Sequence, residues 1–215
     1  MAKRRYTREA LRLQPFMARV GESSSQIVVT ETLGTMITLY HADGSPVETF
    51  AATDAGLDLA SAAVDDAACQ VVIPSNAVIS SAHTLAGCTY VFPPGLVVTG
   101  TLGTADGTRV YHLNSVVSGD SAGPVMGVTN PDSGEAHLCG CSIAPVNTGA
   151  GGVYAAAVTL NAGDLYCHDC VLDATGAADG SDGYAGYRNP ASAGNLFVID
   201  GGTALGKVAA DPFNE

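Results

Sequence analysis

Two cysteine pairs, Cys139-Gly-Cys141 and Cys167-His-Asp-Cys170, stand beside His137 and His168 at spacings a zinc site can use. In a regular strand Cys167 and Cys170 would lie on opposite faces, so they share an ion only across a bulge or turn. Three readings stay open: metal ligands, a disulfide between stacked segments, and buried thiols packing as small hydrophobes. The buried thiols are the expectation, and no residue is assigned as a metal ligand. His83, Asp106 and Ser121 are the residue types of a nucleophilic triad, with base, orienting acid and nucleophile. Asp106 is the one acid between His83 and Asp120. The stretches Ser80-Ser-Ala-His83-Thr and Gly119-Asp-Ser-Ala-Gly-Pro124 are also rich in residues that turns select for their backbone angles. Asp173, Asp179 and Asp182 fall at calcium-like intervals without the bidentate Glu of a calcium loop, which predicts a solvated turn. Gly149-Ala-Gly-Gly152 lacks the Lys-Ser/Thr of a phosphate loop and reads as a turn.

The elements that must carry these residues are short. Gln26–Thr30 and Met36–Tyr40 alternate as strands, closed by a turn at Asp43-Gly44-Ser45-Pro46. Thr53 then precedes a run with Leu57, Ala60 and Val64 on one side and an acid in the first turn, which predicts a helix over about 54–66. Beyond it, β-type runs alternate with Gly, Asn, Asp or Pro. These runs repeat: Gly107, Gly134, Gly163 and Gly194 open similar segments, and shorter copies begin at Ala67 and Ala86. In this alignment Cys141 matches Cys170, and Asp169 matches Asp200 with Asp173 nearby. One β-rich unit per 20–31 residues is a solenoid signature. The units must stack to bury their apolar faces, and about six of them fit the chain.

Charge is divided unevenly. In the first 19 residues Lys3, Arg4, Arg5, Arg8, Arg12 and Arg19 oppose Glu9 alone, for a net +5. The remainder holds three basic and 20 acidic residues, a net −17. An acidic body repels nucleic acid and seeks a cationic or neutral neighbour. Ala10, Leu11, Leu13, Phe16, Met17 and Val20 make the first segment too apolar for a pure solubility tail, and Pro15 breaks any helix begun at Thr7. Residues 1–24 therefore read as a docking arm, with Lys3, Arg4, Arg5, Arg8, Leu11, Arg12, Leu13, Phe16, Met17 and Arg19 as its partner-binding residues. The basic start is followed by no apolar segment of the kind a secretion signal needs, so the chain is expected to be soluble and its six cysteines reduced.

Residues 49–75, with the helical run followed by Gln70-Val-Val-Ile-Pro74, resemble the first coil of pectate-lyase-like right-handed β-helices, where a short amphipathic helix caps the solenoid. Thr84-Leu-Ala-Gly-Cys-Thr-Tyr-Val resembles the second coil, and the likeness runs over about residues 36–205. It implies an all-β, single-stranded right-handed parallel β-helix with an N-terminal capping helix and an extended arm. The expected division is an arm at 1–24, short strands at 25–50 and the β-helix at 51–215. Short β-helices with a separate arm are similar to bacteriophage virion proteins: tail spikes and fibres, head fibres and capsid decorations. That resemblance implies a non-enzymatic structural role in the virion. Its partners would be capsid or tail proteins, further copies of the chain as in trimeric spikes, and a host-surface glycan. No membrane, cofactor or catalytic residue is assigned.

Two enzymatic alternatives stand beside this reading. A polysaccharide lyase or hydrolase would draw on Asp169, Asp173 and Asp200 as facing carboxylates, or on Arg109, Arg188 or Lys207 as a base. The absence of Trp leaves little platform for sugar rings. The Gly119–Pro124 stretch is also one residue from the Gly-Asp-Ser-Gly-Gly-Pro of chymotrypsin-like serine proteases, and Ser80–His83 resembles their histidine motif. In that family the two residues sit on different barrels, far more distant in sequence, so a motif match without that context carries little weight.

Overall fold

The computed structural model describes residues 35–119, 125–130, 133–148, 154–177, 183–188 and 197–209. The arm residues Lys3, Arg4, Arg5, Arg8, Leu11, Arg12, Leu13, Phe16, Met17 and Arg19 lie outside them, as do the strand expected at 26–30, Ser121, the glycines at 149–152, Asp179 and Asp182.

The described chain opens with an antiparallel hairpin, β1 (Met36–Tyr40) and β2 (Pro46–Ala51). Its turn is the expected one. Asp43 Oδ1 accepts from Ser45 N at 2.8 Å and Ser45 Oγ at 2.6 Å, while Gly44 takes the left-handed φ of 82° that only glycine adopts freely. Helix α1 spans Asp54–Ala62, and Thr53 Oγ1 accepts from Gly56 N at 3.3 Å as N-cap. Gly56 is forced by packing, because a Cβ there would overlap the Ala51 carbonyl oxygen. The helix ends four residues before the expected 66. Asp66 explains this: its Oδ1 accepts from Ala68 N at 2.9 Å and its carbonyl from Cys69 N at 3.0 Å, a local turn that competes with further helix.

From here the chain makes repeated circuits. The first comprises β3 (Gln70–Val72) and β4 (His83–Leu85), the second β5 (Thr89–Val91) and β6 (Leu102–Thr104). The third runs through β7 (Arg109–Tyr111), β8 (Asn114–Ser115), β9 (Ser118–Gly119) and β10 (Val125–Thr129). The fourth has β11 (Glu135–Cys139), β12 (Ser142–Ile143), β13 (Val146–Asn147) and β14 (Ala155–Leu160). The fifth has β15 (Asp164–His168), β16 (Val171–Asp173), β17 (Gly176–Ala177) and β18 (Gly183–Arg188). The sixth has β19 (Phe197–Asp200), β20 (Thr203–Leu205) and β21 (Lys207–Ala209). Each circuit adds one parallel strand to the two longer sheets, and the third and fourth sheets begin with the third circuit. The order is β19-β15-β11-β7-β5-β3-β1-β2 in the longest sheet, β21-β18-β14-β10-β6-β4 in the second, β20-β16-β12-β8 in the third and β17-β13-β9 in the fourth. The class is all-β with parallel sheets and one helix at the N-terminal end of the described stack.

Stacking places like residues over like. Val71, Tyr90, Val110, Leu138, Cys167 and Ile199 share one register position, and the first five are at most 1% exposed. A corner follows the long sheet in four successive circuits, at His112 (φ 59°), Gly140 (61°), Asp169 (51°) and Gly201 (73°). All four take the left-handed backbone, a conformation glycine enters freely and His and Asp more readily than most side chains. Strand register corrects the repeat alignment. His168, not Asp169, pairs with Asp200, and Asp169 falls opposite Gly201. The third and fourth circuits are offset by 28 residues, since Arg109 pairs with His137, rather than the 27 that glycine spacing suggested. Among the described residues no helix is long and apolar enough to cross a membrane.

Candidate functional site

The densest polar constellation lies where α1 meets the first circuit. Asp54 and Asp58 stand one turn apart on the helix, and His83, the first residue of β4, enters between them. His83 Nε2 is 2.8 Å from Asp54 Oδ1, and Nδ1 is 2.7 Å from Asp58 Oδ1. Asp54 also accepts from Ser80 N at 2.8 Å, Ser80 Oγ at 2.9 Å, Ser81 N at 3.1 Å and Ser81 Oγ at 3.1 Å. Burial alone would lower the His83 pKa, but the bonds to Asp58 and Asp54 outweigh it and raise the pKa above the ordinary 6.5. Burial opposes ionisation of Asp54 too, yet His83 and the two serines hold its carboxyl well below the usual range. An imidazole engaged by a carboxylate at each nitrogen is held as imidazolium and has no lone pair to accept a proton from a serine. This arrangement clasps the helix to the first circuit. The sequence separates the three residues into a helix start and a turn; the i, i+4 Asp pair was the visible half of the signal.

A second constellation runs along the outer side of the longest sheet. Arg109, His137 and Tyr166 occupy one register position in successive circuits. His137 stacks on Tyr166 with ring centroids 4.8 Å apart and lies 5.6 Å from the near-parallel His168 ring. His137 Nδ1 approaches His168 Nε2 at 3.4 Å, and the chain is closed at its ends by Glu135 (3.7 Å from His137) and Asp200 (3.7 Å from His168). Burial lowers the His137 pKa, only partly offset by Glu135. Beside this strip, an open depression of about 510 Å³ is lined by Asp106, Gly134, Glu135, Ala162, Gly163 and Asp164. Asp106 Oδ1 accepts from Glu135 N at 2.9 Å, which fixes two of its three acids relative to each other.

The other sequence-derived candidates are dispersed. All six cysteines are free and buried. Cys141, Cys167 and Cys170 join the hydrophobic core, whereas His137 and His168 are half-buried on the outer side, so histidines and thiols do not converge on one ion. Cys141 Sγ donates to the Val110 carbonyl at 3.5 Å and Cys170 Sγ to that of Leu138 at 3.4 Å, and burial pushes Cys88 up to about 12. Cys141 and Cys167 are held as thiols, whereas their hydrogen bonds draw the Cys170 thiol down. The proposed stack of Asp169, Asp173 and Asp200 does not form. Asp169 turns the corner, and Asp173 accepts from Thr175 N at 3.0 Å and Thr175 Oγ1 at 2.6 Å in a local turn. Of the candidate bases, Arg109 belongs to the outer strip, while the side chains of Arg188 and Lys207 lie outside the described residues. Glu135 and Asp164 pair at the 29-residue offset of Gly134 and Gly163, so that half of the gathering was present in the repeat, while Asp106 joins through its bond to Glu135 N. No family model, curated protein or solved structure matches this chain.

Proposed function

We propose that the chain is a non-enzymatic structural protein of a virus particle, most simply a bacteriophage capsid decoration, head fibre or tail spike component. In this reading the body is a single right-handed parallel β-helix of the pectate-lyase-like kind, anchored through the arm at residues 1–24. The observation that carries it is the parallel stack itself. Six circuits add strands to shared sheets around a continuous apolar core, an architecture whose neighbouring units stabilise one another and resist bending. The hairpin and α1 close the N-terminal end of the described stack. The net charge of +5 on residues 1–19 against −17 on the remainder suits docking on an acidic lattice or on a further copy of the chain, with trimers as in the spikes it resembles. Leu11, Leu13, Phe16 and Met17 would fill apolar pockets on that partner. The test is incorporation. A chain lacking residues 1–20 should keep its β-rich circular dichroism yet be missing from purified particles; full incorporation would overturn the reading.

A second reading, a polysaccharide-binding or polysaccharide-degrading protein, is favoured by one feature, the depression lined by Asp106, Glu135 and Asp164. Hydrogen-bond acceptors ringing an open hollow suit sugar hydroxyls. Binding of the full chain to a surface polysaccharide, abolished by Glu135→Gln, would decide for it.

A further inference from the structure

His41, Asp65 and Cys69 come from three separate elements of the capped end. His41 directly follows β1, Asp65 lies beyond α1, and Cys69 directly precedes β3. Their meeting has an identifiable cause. The antiparallel register of β1 and β3 pairs Tyr40 with Gln70, which brings His41 opposite Cys69. The early end of α1 delivers Asp65 to the same place, where Cys69 Sγ donates to Asp65 Oδ1 at 3.4 Å. One donor atom from each of the three residues lies within 4.8 Å of the other two.

We propose that His41, Asp65 and Cys69 form a zinc site that clamps the cap to the first circuit. In a tetrahedral zinc centre with Zn–S of about 2.3 Å and Zn–O of about 2.0 Å, the sulfur and oxygen stand roughly 3.5 Å apart. The thiol and carboxylate are already at that separation, and His41, exposed on the surface, needs only a small closing movement. The donor set selects the ion. A thiolate with an imidazole suits zinc, whereas calcium and magnesium take oxygen ligands. Binding exchanges one proton for the metal: the Cys69 S–H bond breaks, the proton leaves to solvent, and the thiolate sulfur bonds to Zn²⁺. Cys69 is buried beneath Asp65 and His41, which are both exposed, so the ion enters from the solvent side with the carboxylate swinging aside. Three protein ligands leave a fourth position for water. The result would cross-link hairpin, helix and stack at the end where the core would otherwise meet solvent.

The experiment uses the full-length reduced chain, stripped with a chelator and titrated with Co²⁺. One equivalent should give the thiolate-to-cobalt charge-transfer band and the visible bands of a tetrahedral site, both bleached by Zn²⁺. Zinc at a hundredfold excess over its dissociation constant should raise Tm by about 5–10 °C. Cys69→Ser and His41→Ala should each abolish the bands, and Cys141→Ser should retain them. His41 is exposed, so its replacement leaves the fold in place and keeps the test independent of stability. Absence of a charge-transfer band in the parent chain, or a band that survives either Cys69→Ser or His41→Ala, overturns the proposal.

Discussion

The Asp54–His83–Asp58 clasp makes a prediction with a definite sign. His83's side chain is 1% exposed, against 29% for Asp54 and 62% for Asp58, so Asp54 carries most of the unscreened interaction. Asp54→Asn preserves shape and removes charge. A hydrogen bond to a charged partner contributes about 1.5–3 kcal/mol and a neutral one about 0.5–1.5, and the serine contacts, being exposed, add little. The substitution should therefore cost about 1 kcal/mol, roughly 2–4 °C in Tm for a chain of this size. The pH dependence separates the clasp from ordinary packing. The folded His83 pKa lies above 6.5, so between 6.5 and that pKa the folded state holds one more proton than the unfolded. Stability must then fall as pH rises through this window, by up to about 1.4 kcal/mol per pH unit. His112 and His137 act in the opposite sense: burial lowers their pKa, so their contribution is lost as pH falls below 6.5. Asp54, held low, adds stability that is lost only as strongly acidic conditions protonate it. The assay is urea unfolding followed by circular dichroism at a series of pH values. In His83→Leu, which continues the aliphatic position of Leu102, Val128 and Val158, the decline above pH 6.5 should vanish while the decline below it remains. A wild-type slope above pH 6.5 in His83→Leu would refute the imidazolium clasp.

Two further outcomes follow from the stack and the arm. Leu138 is fully buried in the middle of the ladder from Val71 to Ile199, so Leu138→Ala should cost about 2–5 kcal/mol, measured by the same unfolding assay at unchanged m-value. Light scattering on the full chain and on residues 21–215 should show association that depends on the arm if copies clip to a lattice, and a persistent trimer if the β-helix faces hold a spike together.

Much of the architecture was legible beforehand because the signals were local. Strand β1, the Asp43–Pro46 turn, the Thr53 N-cap, the burial of Leu57 and Ala60 and the stacking of Cys141 on Cys170 each depend on neighbours in sequence or on one repeat offset. The helix's end was misplaced because apolar periodicity continued through Val64 while the side chain of Asp66 had already captured the backbone. Repeat arithmetic slipped by one residue ahead of the long-sheet strands: Gly163 and Gly194 are 31 apart, yet Leu165 pairs with Phe197, 32 residues on, and that offset is unchanged across the Asp169 corner. That slip was enough to move Asp200 from Asp169 to His168 and to dissolve an imagined acidic stack. The two residues of the suspected triad motif met different fates. Ser121 lies outside the described residues, and His83 has both nitrogens committed to helix carboxylates.

The amino-acid pattern by itself determined a β-rich repeating chain with one early helix, buried thiols and a strongly divided charge, because hydrophobic period, turn chemistry and net charge are properties of short segments. Tertiary structure alone decided which polar residues meet. His83 reaches Asp54 and Asp58 across 25 to 29 residues, and His41 reaches Cys69 through an antiparallel pairing. Such meetings are set by strand register and by where corners fall, and a one-residue change in either turns a side chain to the opposite face of its sheet.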